Sequence, residues 1–494
     1  MITDPRSQRR ARRHLHPARE RLQSYSGLNE ARADVVRPET AADVRAVLDR
    51  ARREGRRVTV RGAGLSLDDR ALGDDLVVCT ERLASIAVDT ARCEVTVGPG
   101  ATWGAILRSL PPGLVPAIVV TGSETTAGGT LASNSVSRFS CALGREADHV
   151  VAFDMITVSG QQIRCTQEGQ HRDIFGAVTG GLGYLGVVTS ITYSLLDLRH
   201  LLAGAGAATG VQVETQAERL TTFEALGEAL LPRHDAPSPE GIFSFAFLDG
   251  RSVVHRSRYT AGARLRPMPI ARRPSPPRLL LEALVWCPPI ARLLWSFIYA
   301  VYYRLRTTFV DELFSFTFLM DTNARAAAFY RRRVGDVFFV QETYVIPASL
   351  RDRAASAARL ASFLRDVATA LAARGMEPNL FDVLYVRGSG YAVTAAFVTR
   401  DRARAAMLAV CLSELSRLCL AAGGYVHLVK NVHADPQTFA AMHGERLRRL
   451  LAAKRRLDPT GVLENAFFQR VVAAAAAPEG PPPSRNLGEM RRAA

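Results

Sequence analysis

The stretch RVTVRGAGLSLDD, residues 57–69, decides how the chain is read. Val58 and Val60 alternate with polar neighbours as in a half-buried strand, and the strand runs directly into a glycine turn with Leu65 between Gly64 and Ser66. Such a turn brings backbone N–H groups close to an anion, because glycine allows approaches and dihedral angles that a Cβ would block. Upstream, RPETAADVRAVLDRARREG (37–55) supplies Thr40 as a helix N-cap, Val44, Val47 and Leu48 as one apolar face, and Gly55 as the stop. The unit is therefore helix, loop, strand and anion-binding turn.

Working outward, short strands are expected at DLVVCT (75–80) and EVTV (94–97), with a helix from Trp103 to Leu110. A glycine- and threonine-rich loop covers 114–136, and 150–166 reads as a hairpin turning at Ser159-Gly160. GGLGYLG (180–186) fits G-x-G-x-x-G but leads into a β-branched strand instead of opening a helix, so it is no dinucleotide fingerprint. Beyond 197 the strands weaken, and 251–281 carries many arginines and no acid. Segment 278–306 is the most apolar, but Glu282, Pro288-Pro289 and Arg292 leave no run of about 20 apolar residues for a membrane span. Trp295, Tyr299, Tyr302 and Tyr303 beside arginines suit a membrane surface, a pocket cover or an ordinary core helix. Strands at 338–347, 380–386 and 391–399 with helices at 349–374 and 401–422 give an antiparallel sheet with helices on one face.

The 494 residues, 48% of them hydrophobic, imply a globular chain of two or more units. Seven scattered cysteines without metal-ligand spacing read as reduced thiols in a cytoplasmic protein that holds no metal. Residues 1–32 form a basic arm without a signal pattern, and 473–494 an alanine- and proline-rich disordered tail. The net charge of +16 points to anionic partners, and no nucleic-acid-binding signature accompanies it. Arginine supplies nearly all of that charge. The only lysines are Lys430 and Lys454, which singles them out as places that need a compact, titratable amine.

Five segments in order, VRPETAADV, RGAGLSLDD, VTVGPGATWGAIL, GGTLASNSVSRFSCALGREADHVVAFDMITVSGQ and DIFGAVTGGLGYLGVVTSITY, resemble the PCMH-type flavin-binding domain of the vanillyl-alcohol-oxidase superfamily. The resemblance implies an α+β chain: a two-subdomain FAD-binding domain at 33–197, a substrate domain at 198–422 with a helix-covered antiparallel sheet, and a segment at 423–472 that returns to the flavin. It implies that Arg61, Gly62, Ala63, Gly64, Leu65 and Ser66, with Thr121, Gly122, Ser123, Thr126, Gly128 and Gly129, cradle the FAD pyrophosphate. Asn134 joins the cofactor residues, and Gly181, Gly183 and Val187 line the adenine and ribose side. Many relatives attach the flavin through a histidine at or beside Leu65; leucine has no nucleophile, so FAD is expected to be noncovalent. Cys141, the cysteine nearest the second loop, lies too far past Gly129 for a tether.

FVQETYVIP, GGYVHLVKN and KRRLDPTGVLEN narrow the resemblance to the aldonolactone-oxidase branch, which includes sugar-lipid oxidases. There the lysine beside the flavin falls on Lys430, a nearby tyrosine on His427, and the first glutamine of the strand before VIP on Gln341. The second glutamine is Thr343 here, and a histidine and lysine of the branch fall on Val136 and Arg138. Lys430 serves as point charge and donor, His427 as base and Gln341 as the orienter of a sugar hydroxyl, while Arg138, Tyr385 and Thr343 contact substrate hydroxyl or phosphate. A regular strand would point His427 and Lys430 to opposite faces, so both reach one site only if the chain leaves strand geometry between them. The expected activity is oxidation of a secondary alcohol of a sugar-like substrate such as an aldonolactone or polyprenyl-phospho-sugar, by a cytoplasmic protein peripheral to the inner face of the plasma membrane, with a partner reductase among its partners and the electron acceptor left open by the sequence. The rivals are a flavin-dependent sterol or lipid C=C reductase and a membrane-peripheral FAD-binding protein without turnover.

Overall fold

The computed structural model describes residues 15–203, 209–233, 239–263, 297–318 and 335–476, together with Leu293 and Asp321. Most of 264–296 and the tail from 477 lie outside the described residues, and the expectations for them with it. The architecture is α+β, built on three sheets.

The first sheet has the order β1-β2-β4-β3, from β1 (Ala18–Gln23), β2 (Glu30–Val36), β3 (Val58–Arg61) and β4 (Leu76–Cys79). Between β2 and β3 runs helix α1 (Ala41–Glu54), whose Thr40 and Asp43 form the reciprocal capping box and whose Gly55 closes it at φ 65°. Of the basic arm expected over 1–32, residues 1–14 lie outside the described residues, and the part from 18 onward is corrected here. Residues 18–36 are a hairpin in which Arg21 pairs with Glu30, Arg19 with Asp34, and Arg37 with Glu20 and Glu81. Charge that reads as a solvated run is neutralised across the strands.

The second sheet, order β5-β6-β10-β8-β9 with β7 added to β10, comprises β5 (Ile86–Asp89), β6 (Glu94–Val97), β7 (Leu114–Pro116), β8 (Val150–Ile156), β9 (Gln162–Thr166) and β10 (Val187–Asp197). Helices α2 (Trp103–Ser109), α3 (Ala127–Ser133) and α4 (Arg172–Val178) belong to this unit, and Trp103 is fully buried among Ile106, Leu131 and Tyr193. Val58 and Val78 of the first sheet share a core with Ile156 and Val187 of the second.

The third sheet is antiparallel throughout, with the order β14-β11-β13-β12-β16-β17-β15-β18. Its strands are β11 (Thr209–Leu220), β12 (Gly241–Ala246), β13 (Ser252–Ala263), β14 (Thr308–Glu312), β15 (Phe338–Ile346), β16 (Leu380–Val386), β17 (Gly390–Thr399) and β18 (Tyr425–Val426). Helices α5 (Phe223–Ala229), α6 (Arg353–Ala372) and α7 (Arg402–Ala421) cover one face. Leu226, Leu360, Leu364, Leu412 and Leu415 pack there on Val340, Tyr344, Val393 and Phe397, each buried leucine contributing about 1.5–3 kcal/mol. Strand alternation turns the residues in between to the opposite face, which the helices leave free but which is itself largely buried, Val136 packing there with Val345, Val386 and Ala392. Finally α8 (Pro436–Leu457) leads the chain back to the first unit, where Val58 N–H donates to the Val462 carbonyl at 2.6 Å.

Candidate active site

The glycine turn after β3 is built to receive an anion. Among the described residues, the backbone N–H groups of Gly62, Ala63, Gly64, Leu65 and Ser66 have no acceptor. Five consecutive unpaired donors in one turn are costly unless something outside the protein accepts them. A Cβ on Gly62 would lie 2.3 Å from Thr126 Oγ1, so the first loop can reach the second only as glycine, and Gly64 sits at φ 73°. Arg61 braces the turn from behind by donating to the carbonyls of Ala71 (3.1 Å) and Gln23 (3.2 Å).

In the second loop Thr121, Gly122 and Gly129 keep free N–H groups among the described residues. Two of the expected donors do not: Ser123 N–H is held by Asp321 Oδ1 at 2.7 Å and Gly128 N–H by the Pro99 carbonyl at 2.8 Å. Asn134 ends α3 at φ 49°, with its Oδ1 accepting from Ala147 N–H at 3.0 Å. Gly181 and Gly183 bring their loop against β3, where Val60 is the nearest neighbour a Cβ on Gly183 would meet. Val187 spends its side chain in the shared core, so only its backbone faces outward. These unpaired donors and the glycine-only approach fit a diphosphate. Leu65 leaves no nucleophile in the turn, and Cys141 is buried, its Sγ donating to the Glu240 carbonyl at 2.8 Å and its thiol pushed by burial up to about 12.

The same loop continues into Asp68 and Arg70, which sequence reasoning passed over. Both are buried and paired, and the Arg70 guanidinium also donates to the carbonyls of Leu428 and Lys430. The chain has left strand geometry there: β18 ends at Val426, and residues 428–430 form a turn. Asn431 then locks onto Gln341, giving its N–H to the Gln341 carbonyl at 2.9 Å and accepting the Gln341 N–H on Oδ1 at 3.0 Å. Gln341 and Lys430 are thereby brought together at one end of the open sheet face.

Behind them, on the helix side, buried Glu342 accepts from His433 N–H at 2.8 Å, Tyr344 Oη at 3.1 Å and Ser416 Oγ at 3.2 Å. Burial without a cation pushes its carboxyl from 4.5 up to about 8. The native state then holds a proton that the unfolded chain releases, so stability falls as pH rises between those two values. Glu342→Gln is expected to flatten that slope, read as urea midpoints at about pH 5 and about pH 9.

His427 is buried beside the lysine turn, with Nε2 2.5 Å from Arg145 Nη1 and Nδ1 accepting from Val429 N–H at 3.1 Å. Burial and the neighbouring Arg145 cation hold its pKa well below the usual value. A second proton on the ring would face that cation, which opposes the base role expected of His427. Tyr385 is a second correction. Its neighbour Leu384 faces the open side, so Tyr385 faces the helices and packs in the main core against Tyr391, away from any substrate. Thr343 and Gln341 do face the open side. Arg138 lies further along it, over the rings of Phe316 (3.7 Å) and Phe243 (5.0 Å), without a carboxylate partner at ion-pair distance among the described residues. Burial pulls its guanidinium down to about 10.

Sequence reasoning also missed Asp382, which faces the open side opposite Thr394 on β17. The signal was an acid in the middle of the apolar strand LFDVLYV. No group of acids, histidines and cysteines able to hold a metal occurs among the described residues.

Comparison with known proteins agrees with this geometry. Residues 33–166 match the FAD binding domain family. The chain is 24% identical to decaprenylphosphoryl-beta-D-ribose oxidase of Mycolicibacterium smegmatis over 87% of its own length and 92% of that protein. It is 31% identical to bovine (Bos taurus) L-gulonolactone oxidase over 33% of this chain and 37% of that one. Cytokinin dehydrogenase 2 of Oryza sativa subsp. japonica is 33% identical over 40% of this chain and 38% of the plant protein. The family match over residues 33–166, with donors left unpaired where a diphosphate belongs, gives this chain a FAD-binding domain of the PCMH type.

Proposed function

We propose that the chain oxidises a secondary alcohol of a sugar-like substrate. The observation that carries this reading is the lock between Asn431 and Gln341, which sets the Lys430 turn beside Gln341 at one end of the sheet face that the helices leave free. FAD, when bound, supplies the electron sink for hydride removal from the carbinol carbon. The protein's part is to hold the alcohol: the Lys430 amine presents a point charge to its oxygen, and the Gln341 amide and Thr343 hydroxyl bind neighbouring hydroxyls. Similarity to a decaprenylphosphoryl-ribose oxidase over most of the chain supports a sugar, and a lipid-linked one. So does the exposure of Leu293 (72%), Phe297 (59%) and Leu305 (81%), with Arg304 and Arg306 close by in sequence, a composition suited to an anionic lipid surface. No described helix is long and apolar enough to cross a membrane.

Two measurements test the reading. The purified protein is expected to be yellow and to release all its flavin into the supernatant on acid precipitation, as Leu65 requires; flavin left in the pellet would contradict the noncovalent assignment. Anaerobic mixing with L-gulonolactone and polyprenyl-phospho-pentoses is expected to bleach the flavin with at least one of them. Bleaching by NAD(P)H followed by reoxidation with an olefin would instead assign a C=C reductase, and bleaching by nothing a binding protein.

A further inference from the structure

Beneath the second loop lies a group of buried polar side chains that the site described above does not use. The single turn at Glu146–His149 sends the Glu146 side chain, in a residue 1% exposed, between α2, α3 and β10. Its Oε1 accepts the Tyr193 hydroxyl of β10 at 2.7 Å and the Thr130 hydroxyl of α3 at 2.8 Å. Thr130 Oγ1 in turn accepts the indole N–H of Trp103, the first residue of α2, at 2.9 Å, and the Trp103 and Tyr193 rings lie 5.2 Å apart. Glu146 Oε2 has no partner among the described residues. A carboxyl bonded through one oxygen, with no cation among the groups that act on it, is suited to the neutral form.

The segments that meet on this carboxyl are the ones that shape the second loop. Trp103 N–H donates to the Thr125 carbonyl and Gly104 N–H to that of Ser123, both at 2.9 Å. Ala127 N–H donates to the Ala101 carbonyl at 2.9 Å. The Glu146 turn also holds the far end of α3, by Glu146 N–H on the Ser135 carbonyl and Ala147 N–H on Asn134 Oδ1, both at 3.0 Å. Thr126 makes no side-chain cap on α3, so the placement of that helix falls to these outside contacts. Gly129, whose N–H is free among the described residues, directly precedes Thr130.

We propose that Glu146 is a positioning residue for the cofactor: through Thr130 and the Trp103 bonded to it, its carboxyl fixes α3 and α2, the two segments between which the diphosphate-binding second loop hangs. The inference rests on FAD binding and not on the proposed alcohol oxidation. The role calls for an acceptor at Oε1 and not for a charge. Burial pushes the carboxyl up to about 7, against the hydrogen bonds from Tyr193 and Thr130. The groups that face it are Thr130 from α3, Tyr193 from β10, held well above the ordinary phenol value by burial, and Trp103 from α2 behind Thr130; none is a cation. Above about pH 7 the carboxyl ionises. A buried charge without a counterion loosens the network, and it adds negative charge beside a loop that receives a diphosphate. The protein should therefore hold FAD less tightly on the alkaline side.

The test follows release of flavin from the loaded, full-length protein on dilution, as the rise of free-flavin fluorescence. At about pH 6, Glu146→Leu is expected to release FAD about tenfold faster than wild type, because Thr130 and Tyr193 lose their common acceptor. Glu146→Gln keeps a carbonyl oxygen for both bonds and should release at about the wild-type rate. Between about pH 6 and about pH 8 the wild-type rate should rise, while that of Glu146→Gln stays flat. Circular dichroism reports that each variant is folded. If Glu146→Leu fails to fold, Thr130→Val serves instead: it cuts the link from the carboxyl to α3, leaves the Tyr193 bond in place, and should also speed release. Release from the folded variant at the wild-type rate overturns the proposal, and so do identical pH profiles in wild type and Glu146→Gln. Neither readout needs a substrate, so failure to bleach the flavin with any sugar would count against the oxidation and leave this role standing.

Discussion

Lys430→Met is expected to keep its flavin and to bleach about 10²–10³-fold more slowly with the best sugar substrate. FAD should stay because the donors that fit its diphosphate are backbone N–H groups at 62–66, and none depends on the lysine side chain. The turn should also keep its shape, since Arg70 grips the main-chain carbonyl of residue 430 and Asn431 provides the lock to β15. What is lost is one charge at the open face, and methionine fills much of the same length. Stopped-flow flavin absorbance under anaerobic conditions separates binding from reduction: a normal spectrum with slow bleaching is the expected pair. Unchanged bleaching would remove Lys430 from the reaction.

The other lysine carries the largest expected stability effect. Lys454, 4% exposed, donates to Asp458 Oδ2 at 2.5 Å, the Leu463 carbonyl at 2.8 Å and the Tyr184 carbonyl at 3.2 Å, with the Phe468 ring 5.1 Å away. Asp458 is buried as well and accepts the N–H groups of Val462 and Leu463 at 2.9 and 2.7 Å. Lys454→Met strands a buried carboxylate, which costs about 3–5 kcal/mol when only one partner is removed. The urea midpoint should fall by the corresponding amount at unchanged slope. Adding Asp458→Asn should recover part of the loss, because the uncompensated charge goes with it. A midpoint within error of wild type would refute the account.

The parts of this architecture that were legible in the sequence are those set by neighbours along the chain. Thr40, Asp43 and Gly55 bound α1 through contacts within a turn, and Gly160 turns the β8–β9 hairpin, so local pattern suffices. The diphosphate turn was legible for the same reason: Gly62 and Gly64 lie within the stretch whose donors they expose. Tyr385 went wrong by one position. In a strand apolar on both faces, alternation alone does not say which of Leu384 and Tyr385 meets the helices. The polar row of Thr343, Thr394 and Asp382 was hidden because it exists only across three strands, whose register is set by pairing far apart in the chain. The β1 strand was hidden by charge, since Arg19 and Arg21 declare their partners only once β2 lies alongside.

The grip of Arg70 on the carbonyls of residues 428 and 430 joins positions separated by about seven-tenths of the chain. Asn465 adds to it, donating to the carbonyls of Arg70 and Leu72 at 2.9 and 3.1 Å, and Arg470 pairs with Asp69. The segment just after the phosphate-binding turn is thus completed by residues synthesised more than 350 positions later. Loop closure over such separations is slow compared with forming local helices and hairpins. During translation the first unit must wait, its five donors unpaired and its Asp68–Arg70 shelf open, until the last strand and α8 arrive. A nascent chain stalled before residue 428 is therefore expected to lack the contacts from Leu428, Lys430 and Asn465 that complete the shelf behind the phosphate-binding turn.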